Sequence, residues 1–463
     1  MKGSTGVFVR RILLVVFLMG VISALSVGHE PVSGVPASSP IQHVVILFQE
    51  NHSFDNVLGY LCVQDNRCDG VTSGKTHDGQ TIPLSAARDI PPSIALNPAA
   101  QQKAVNGGGM NGWDKVQGCR PKNNYACYTQ FLTPRQGNDG SIPNLTALAR
   151  AFAISDRTFE NDFVASWVAH LGLVAATHDG FTGYNPYTPP GNPKASGWGC
   201  DSFKDAQWKS PLGSVIDVPA CVPRPDGTGA YRPTPVSWVP TIMDRMDQGG
   251  LPWRIYGQPG GQSGGSAYTV TICPSFAVCL NGPQHNNVVV TDQIYTDIKN
   301  GDLPSLSLVL PKLQESQHNK YSMLEGDNYI GRVVSAIMNG PPDQWNSTAI
   351  FITYDDCGCF YDHVAPPAGL GIRVPMVIVS PYAKAGFTDS NVASFASLMA
   401  FVENTYGLPP LSTWDAGAYD YSQGFNFSQK PLEPVALHSR PLPRWEEEWL
   451  REHPGPSVID SGR

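Results

Sequence analysis

The chain has 463 residues, longer than one hydrophobic core usually requires, so one domain with large insertions is expected. Its net charge of -8, with no basic run beyond the N-terminus, excludes a nucleic-acid backbone as the main partner. With 41% hydrophobic residues alongside 46 glycines and 41 prolines, the composition suits a compact fold with long ordered loops.

Lys2, Arg10 and Arg11 precede an apolar stretch, Ile12 to about Val27, and then small and polar residues. This is the pattern of a secretion signal over residues 1–28, followed by a Pro/Ser spacer at 29–40. A membrane anchor is the alternative, although the stretch is slightly short for a span. All ten cysteines lie after the signal and most fall into close pairs, Cys62/Cys68, Cys119/Cys127, Cys200/Cys221 and Cys273/Cys279. Such usage fits an exported, disulfide-pinned protein placed outside the cell or in the cell envelope. Cys357 and Cys359 are also expected to form structural disulfides rather than a zinc site, because no second Cys or His pair stands at zinc-finger spacing.

The first strand is expected over residues 41–48, where Val44-Val45-Ile46-Leu47-Phe48 is too apolar for an edge and reads as a buried strand of a parallel sheet. Residues 59–140 read as a long ordered insertion. Asn144 is placed to cap a helix carrying Leu145, Leu148, Ala149 and Phe152, and a second helix begins near Ser166. Residues 179–235 are again loop-rich. Short strands follow at Trp253–Tyr256 and Ser305–Leu310, then a helix at Tyr329–Met338 closed by Asn339-Gly340. The run Thr348–Tyr354 is a second core strand, Val374–Ser380 a further strand and Asn391–Thr405 the last helix. One α/β catalytic domain over 41–410 results, with a Pro-rich tail at 411–463 wrapped on its surface.

Two acidic clusters stand directly after the two core strands: Glu50-Asn51 after the first and Asp355-Asp356 after the second. Ligands bind at the carboxyl ends of parallel strands. Three carboxylates and an amide meeting there repel one another unless a hard divalent cation neutralises them. Taken singly, each pair reads equally well as a polar turn. Ser166, in the first turn of a helix, is the candidate nucleophile, because the positive helix end and its N–H groups favour an alkoxide and a phosphate. On spacing alone, a helix cap is the commoner role for such a serine. His318 follows a strand on the face where the acids should lie, and His285 could reach that face from an insertion.

The strings IQHVVILFQENHSFDNVLG (41–59), FVASWVAHLGLVAAT (163–177), DLPSLSLVLPKLQESQHN (302–319), TAIFITYDDCGCFYDHVAPP (348–367) and RVPMVIVSPYAK (373–384) resemble the bacterial phosphoesterase family of phospholipases C and acid phosphatases. The resemblance implies an alkaline-phosphatase-like central sheet flanked by helices, with large loop-rich insertions. It implies one divalent metal ion on Glu50, Asn51, Asp355 and Asp356, Ser166 as a phosphoserine-forming nucleophile, and His318 and His285 beside the phosphoryl group. An all-oxygen donor set favours Mg²⁺, Ca²⁺ or Mn²⁺, with Zn²⁺ the alternative. The substrate implied is a small phosphate ester or a phospholipid, met by a monomer with transient contact to a lipid surface. A non-catalytic exported binding protein on the same fold is the competing reading. The chain departs from the family pattern at His52, where Arg is usual, and at Cys359, where Gly is usual. It also departs near Ile94–Asn97 and at Gly109, where relatives carry a His and a Lys. If those groups bind phosphate in relatives, their loss changes substrate range or rate.

Overall fold

In the computed structural model the described residues are Met1, Gly3, 39–120, 124–134, 140–194, 197–257 and 271–452. Most of the expected secretion signal and spacer lie outside them. The main sheet contains β1 (His43–Gln49), β2 (Ala153–Ser155), β3 (Trp253–Tyr256), β4 (Val288–Val289), β5 (Leu306–Val309), β6 (Thr348–Tyr354), β7 (Met376–Val379) and β8 (Thr388–Asp389). Their spatial order is β4-β3-β5-β1-β6-β7-β2-β8. β1 sits between β5 and β6, parallel to both, with Val44 opposite Leu306 on one side and Ala349 on the other. A parallel sheet was expected, but the sheet is mixed. β7 runs antiparallel to β6 and to β2. The apolar run that signals a buried strand carries no information about direction.

Side chains alternate across each strand, so one face of β1 and β6 carries Phe48 and Phe351. Against this face lie α2 (Ser166–Ala175) and α4 (Phe395–Tyr406). Phe48 meets the His170 ring at 4.7 Å and Phe395 at 5.3 Å, while Phe351 meets Phe401 at 4.8 Å. Tyr354 points to the other face, and its hydroxyl donates to Gln317 Oε1 at 2.6 Å. The loop carrying Gln317 leads into α3 (Met323–Met338), which Ser322 caps by accepting from the Glu325 amide. α1 (Pro143–Ala151) starts with Pro143 at its first position. Asn144, expected as its cap, instead donates its amide to Asp327 of α3, which also accepts from Leu145. A carboxylate from a neighbouring helix thus caps α1 in trans.

The four close cysteine pairs are bonded as expected: Cys62–Cys68, Cys119–Cys127, Cys200–Cys221 and Cys273–Cys279. Cys357 and Cys359 are not bonded, correcting the expectation for them; both are buried, with sulfurs 3.7 Å apart. Among the described residues no helix is long and apolar enough to cross a membrane.

Candidate active site

The carboxyl ends of β1 and β6 lie side by side, since Gln49 pairs with Tyr354. Glu50-Asn51 and Asp355-Asp356 therefore leave the sheet as neighbours despite about 300 intervening residues. The Asn51 amide donates to Asp355 Oδ1 at 2.8 Å, and its side-chain nitrogen donates to the same oxygen at 3.2 Å. Asn51 holds a left-handed backbone, φ 55°, which asparagine tolerates better than most residues. Gly358 is required behind it, because a Cβ there would lie 1.9 Å from the Asn51 carbonyl oxygen.

α2 brings Ser166 to this pair of exits. Its Oγ lies 3.3 Å from Glu50 Oε2 and 3.5 Å from Asp356 Oδ2, and it accepts from Asn51 Nδ2 at 3.4 Å. Ser166 is the first residue of the helix, not its cap. Ala165 occupies the cap position, and Asn185 Oδ1 accepts the Trp167 amide at 2.9 Å. The Val168 amide bonds the Ala165 carbonyl at 3.1 Å, so most of the expected N–H cradle is already satisfied. The helix supplies position and dipole rather than a row of open donors.

Glu50, Asn51, Asp355, Asp356 and Ser166 are all 0% exposed. Burial first, and then Glu50 beside it, holds the Asp355 carboxyl well above the usual carboxylate range. Asp356 is raised likewise, by burial and then by Asp355. Asp355 Oδ2 and Asn51 Oδ1 are buried with no hydrogen-bond partner among the described residues. Orphaned acceptors among crowded carboxylates are the chemistry of a cation site, so the residues present fit a divalent metal.

Sequence reasoning overlooked two neighbours of this cluster. His170, four residues after Ser166 and so on the same helix face, places Nε2 3.6 Å from Glu50 Oε1. The S-x-x-x-H spacing could have signalled it. Glu160, 0% exposed, accepts the Cys357 amide at 2.8 Å and is raised by burial, then by Cys357 and Asp356. Nothing in its local sequence marks it.

The histidines expected at the site divide. The loop carrying His318 packs on the exit of β1, where the Glu50 amide donates to the Ser316 carbonyl at 2.9 Å and His52 Nε2 lies 2.9 Å from the Gln317 carbonyl. His318 itself is buried, with Nδ1 2.9 Å from the Asn319 carbonyl. His285 is not brought to the cluster. It lies in the turn Pro283–Asn287 that enters edge strand β4, and neighbouring Gln284 donates to Asp244 and Asp247 of the helix leading into β3. That is the amino end of the sheet, opposite the acids.

The described residues hold a second acidic group, Asp55, Asp362 and His363. Arg373 occupies its centre, fully buried, with Nε 3.2 Å from Asp362 and Nη2 3.2 Å from Asp55. The guanidinium stacks 4.2 Å from the Phe54 ring centroid. His363 bridges Asp55 at 2.6 Å and Asp69 at 2.9 Å. Burial is the largest single influence and lowers His363, but the bond to Asp55 together with the charges of Asp55 and Asp362 outweighs it and the ring is raised. With an arginine already neutralising both carboxylates, this group is an ion-pair clamp rather than a metal site.

A family model described as the Phosphoesterase family matches residues 41–409. The chain belongs to the phosphoesterase family. It is 28% identical over 450 residues to a non-hemolytic phospholipase C of Burkholderia pseudomallei, covering 84% of this chain and 59% of that protein. A non-hemolytic phospholipase C of Pseudomonas aeruginosa is 25% identical, covering 85% of this chain and 58% of that one. The chain thus spans little more than half the length of these two phosphoesterases. Phospholipase C A of Mycobacterium tuberculosis is 23% identical and is covered over 80% of its length, with 87% of this chain aligned. Among solved structures, an alkaline phosphatase superfamily protein from Vibrio parahaemolyticus matches with a TM-score of 0.34 at 14% identity, over 61% of this chain and 64% of that one.

Proposed function

We propose that this phosphoesterase-family chain hydrolyses phosphate esters, as an exported enzyme with a phosphoserine intermediate. The observation carrying the proposal is the placement of Ser166 Oγ within 3.5 Å of Glu50, Asn51 and Asp356 at the carboxyl end of the sheet. Glu50, Asn51, Asp355 and Asp356 would hold one divalent ion, which when bound neutralises phosphate oxygens and acidifies a nearby hydroxyl. Ser166 attacks phosphorus in line, and its proton has Glu50 and Asp356 as the nearest acceptors. The dipole of α2 favours the anionic phosphate at that end of the helix. His318, on the loop against the exit of β1, is the group we assign to protonating the leaving alcohol. Water then opens the phosphoserine.

The names of the relatives support a phospholipid diester as substrate, and a phosphomonoester is the second reading. We assign residues 1–28 to an export signal, 41–410 to the catalytic domain and 411–463 to a surface tail. Hydrolysis of a chromogenic phosphocholine diester and a chromogenic phosphomonoester, each with and without chelator, tests the proposal. Turnover of either that chelator abolishes supports it; no turnover of either, with divalent ions supplied, overturns it.

A further inference from the structure

The sequence pointed to an all-oxygen metal centre, and the fold adds a nitrogen to it. His170 lies one turn beyond Ser166 and is 2% exposed. The edge-on Phe48 ring, at 75° to the imidazole, fixes its plane. Its Nε2 stands 3.6 Å from Glu50 Oε1, longer than a hydrogen bond of about 2.7–3.2 Å. Donor atoms of Glu50, His170 and Asp355 all lie within 4.8 Å of one another. Two ligands each about 2.0–2.2 Å from one ion stand roughly 3–4.4 Å apart, so this ion-pair spacing also accommodates shared coordination of one ion. Asp355 Oδ2 and Asn51 Oδ1, buried with no hydrogen-bond partner, supply further acceptors at the same point.

We propose that His170 is a ligand of the metal centre, forming a mixed nitrogen–oxygen set with Glu50 and Asp355 that shifts preference from the hard ions Mg²⁺ and Ca²⁺ towards borderline ions such as Zn²⁺. This rests on the metal reading given above. Imidazole suits transition ions, whereas hard ions keep to oxygen. The helix that delivers the nucleophile would then also anchor the ion, so Ser166 and the metal move as one unit.

The test is electron spin-echo spectroscopy on the full chain loaded with Mn²⁺ alone, which detects a coordinated nitrogen without reference to turnover. Wild-type protein should show ¹⁴N modulation that changes to a ¹⁵N pattern when grown on ¹⁵N-histidine. His170→Gln should lose the modulation and bind Mn²⁺ at least ~10-fold more weakly, a loss no smaller than that of an outer-sphere partner. His318→Gln should keep it, which excludes the other histidine placed beside the site as the source of the nitrogen; loss of the modulation in His318→Gln overturns the inference. Bound Mn²⁺ without nitrogen modulation, or modulation that survives in His170→Gln, overturns this inference and leaves the oxygen-donor centre standing. A chain that binds no divalent ion overturns both.

Discussion

Replacing Ser166 by alanine separates a nucleophile from a structural hydroxyl. Its three contacts, at 3.3, 3.4 and 3.5 Å, are at the long end of hydrogen bonding. A well-formed neutral bond contributes about 0.5–1.5 kcal/mol net, and these long ones contribute less. The helix loses no cap, because Ala165 holds that position and Asn185 accepts the Trp167 amide. Removing one oxygen from among buried acids therefore changes stability by no more than about 1–2 kcal/mol. A covalent nucleophile is different: its loss should reduce kcat by at least about 10³-fold, more than ~4 kcal/mol of activation free energy. Thermal melting and steady-state rates on the monoester and the diester, with Mn²⁺ binding as a control for site integrity, give both numbers on one sample. A variant that melts like wild type and turns over within tenfold of it refutes the phosphoserine route.

Asp355→Asn should stabilise the chelated protein, by removing a carboxyl that burial and Glu50 hold in an unfavourable state, yet abolish the rise in melting temperature on adding metal; an unchanged metal response rules Asp355 out as a ligand. Alkylation without reductant should modify two cysteines after denaturation and none before, and the modified peptide should contain Cys357 and Cys359. Four or more reactive thiols would contradict the disulfides of the fold. Glu403, pushed up from 4.5 to about 9 by burial and then by its bond to Asp415, keeps its proton when folded but loses it when unfolded. Stability should therefore fall as pH rises from about 5 to about 9, by up to ~1.4 kcal/mol per pH unit, and Glu403→Gln should flatten that slope. Denaturant melts across the range check it, and an equal slope in the variant removes Glu403 as the cause.

What the sequence disclosed follows from which signals are local. β1 and β6 were legible because both are continuous apolar runs, and the acids at their ends became neighbours once the strands paired in register. Ser166 was legible as the first turn of a helix. His170 carried only the weak signal of its S-x-x-x-H spacing from Ser166, because a histidine on an apolar helix face looks like packing until the facing strand is known to end in Glu50. His285 was placed at the wrong end because nothing local tells that β4 is the edge strand or that the preceding turn bonds the helix before β3. The reversal of β7 and the trans cap on α1 likewise depend on partners far along the chain. Cys357 and Cys359 looked like two more members of a disulfide set, and only the path of the turn shows that each stays a thiol.

The clamp around Arg373 bears on how such a protein can change over time. Asp55, Asp362, His363 and Arg373 tie the segment after β1 to the segment after β6 through bonds that use none of the residues in 74–140 or 179–290. Within those stretches, the irregular surface parts outside β3, β4, Asn185 and residues 127–131 can exchange aromatic for polar surface without touching the bonds of this clamp. New substrates are then reached by editing loops, while a change at Arg373 strands two buried carboxylates at once and forfeits the frame on which every such edit depends.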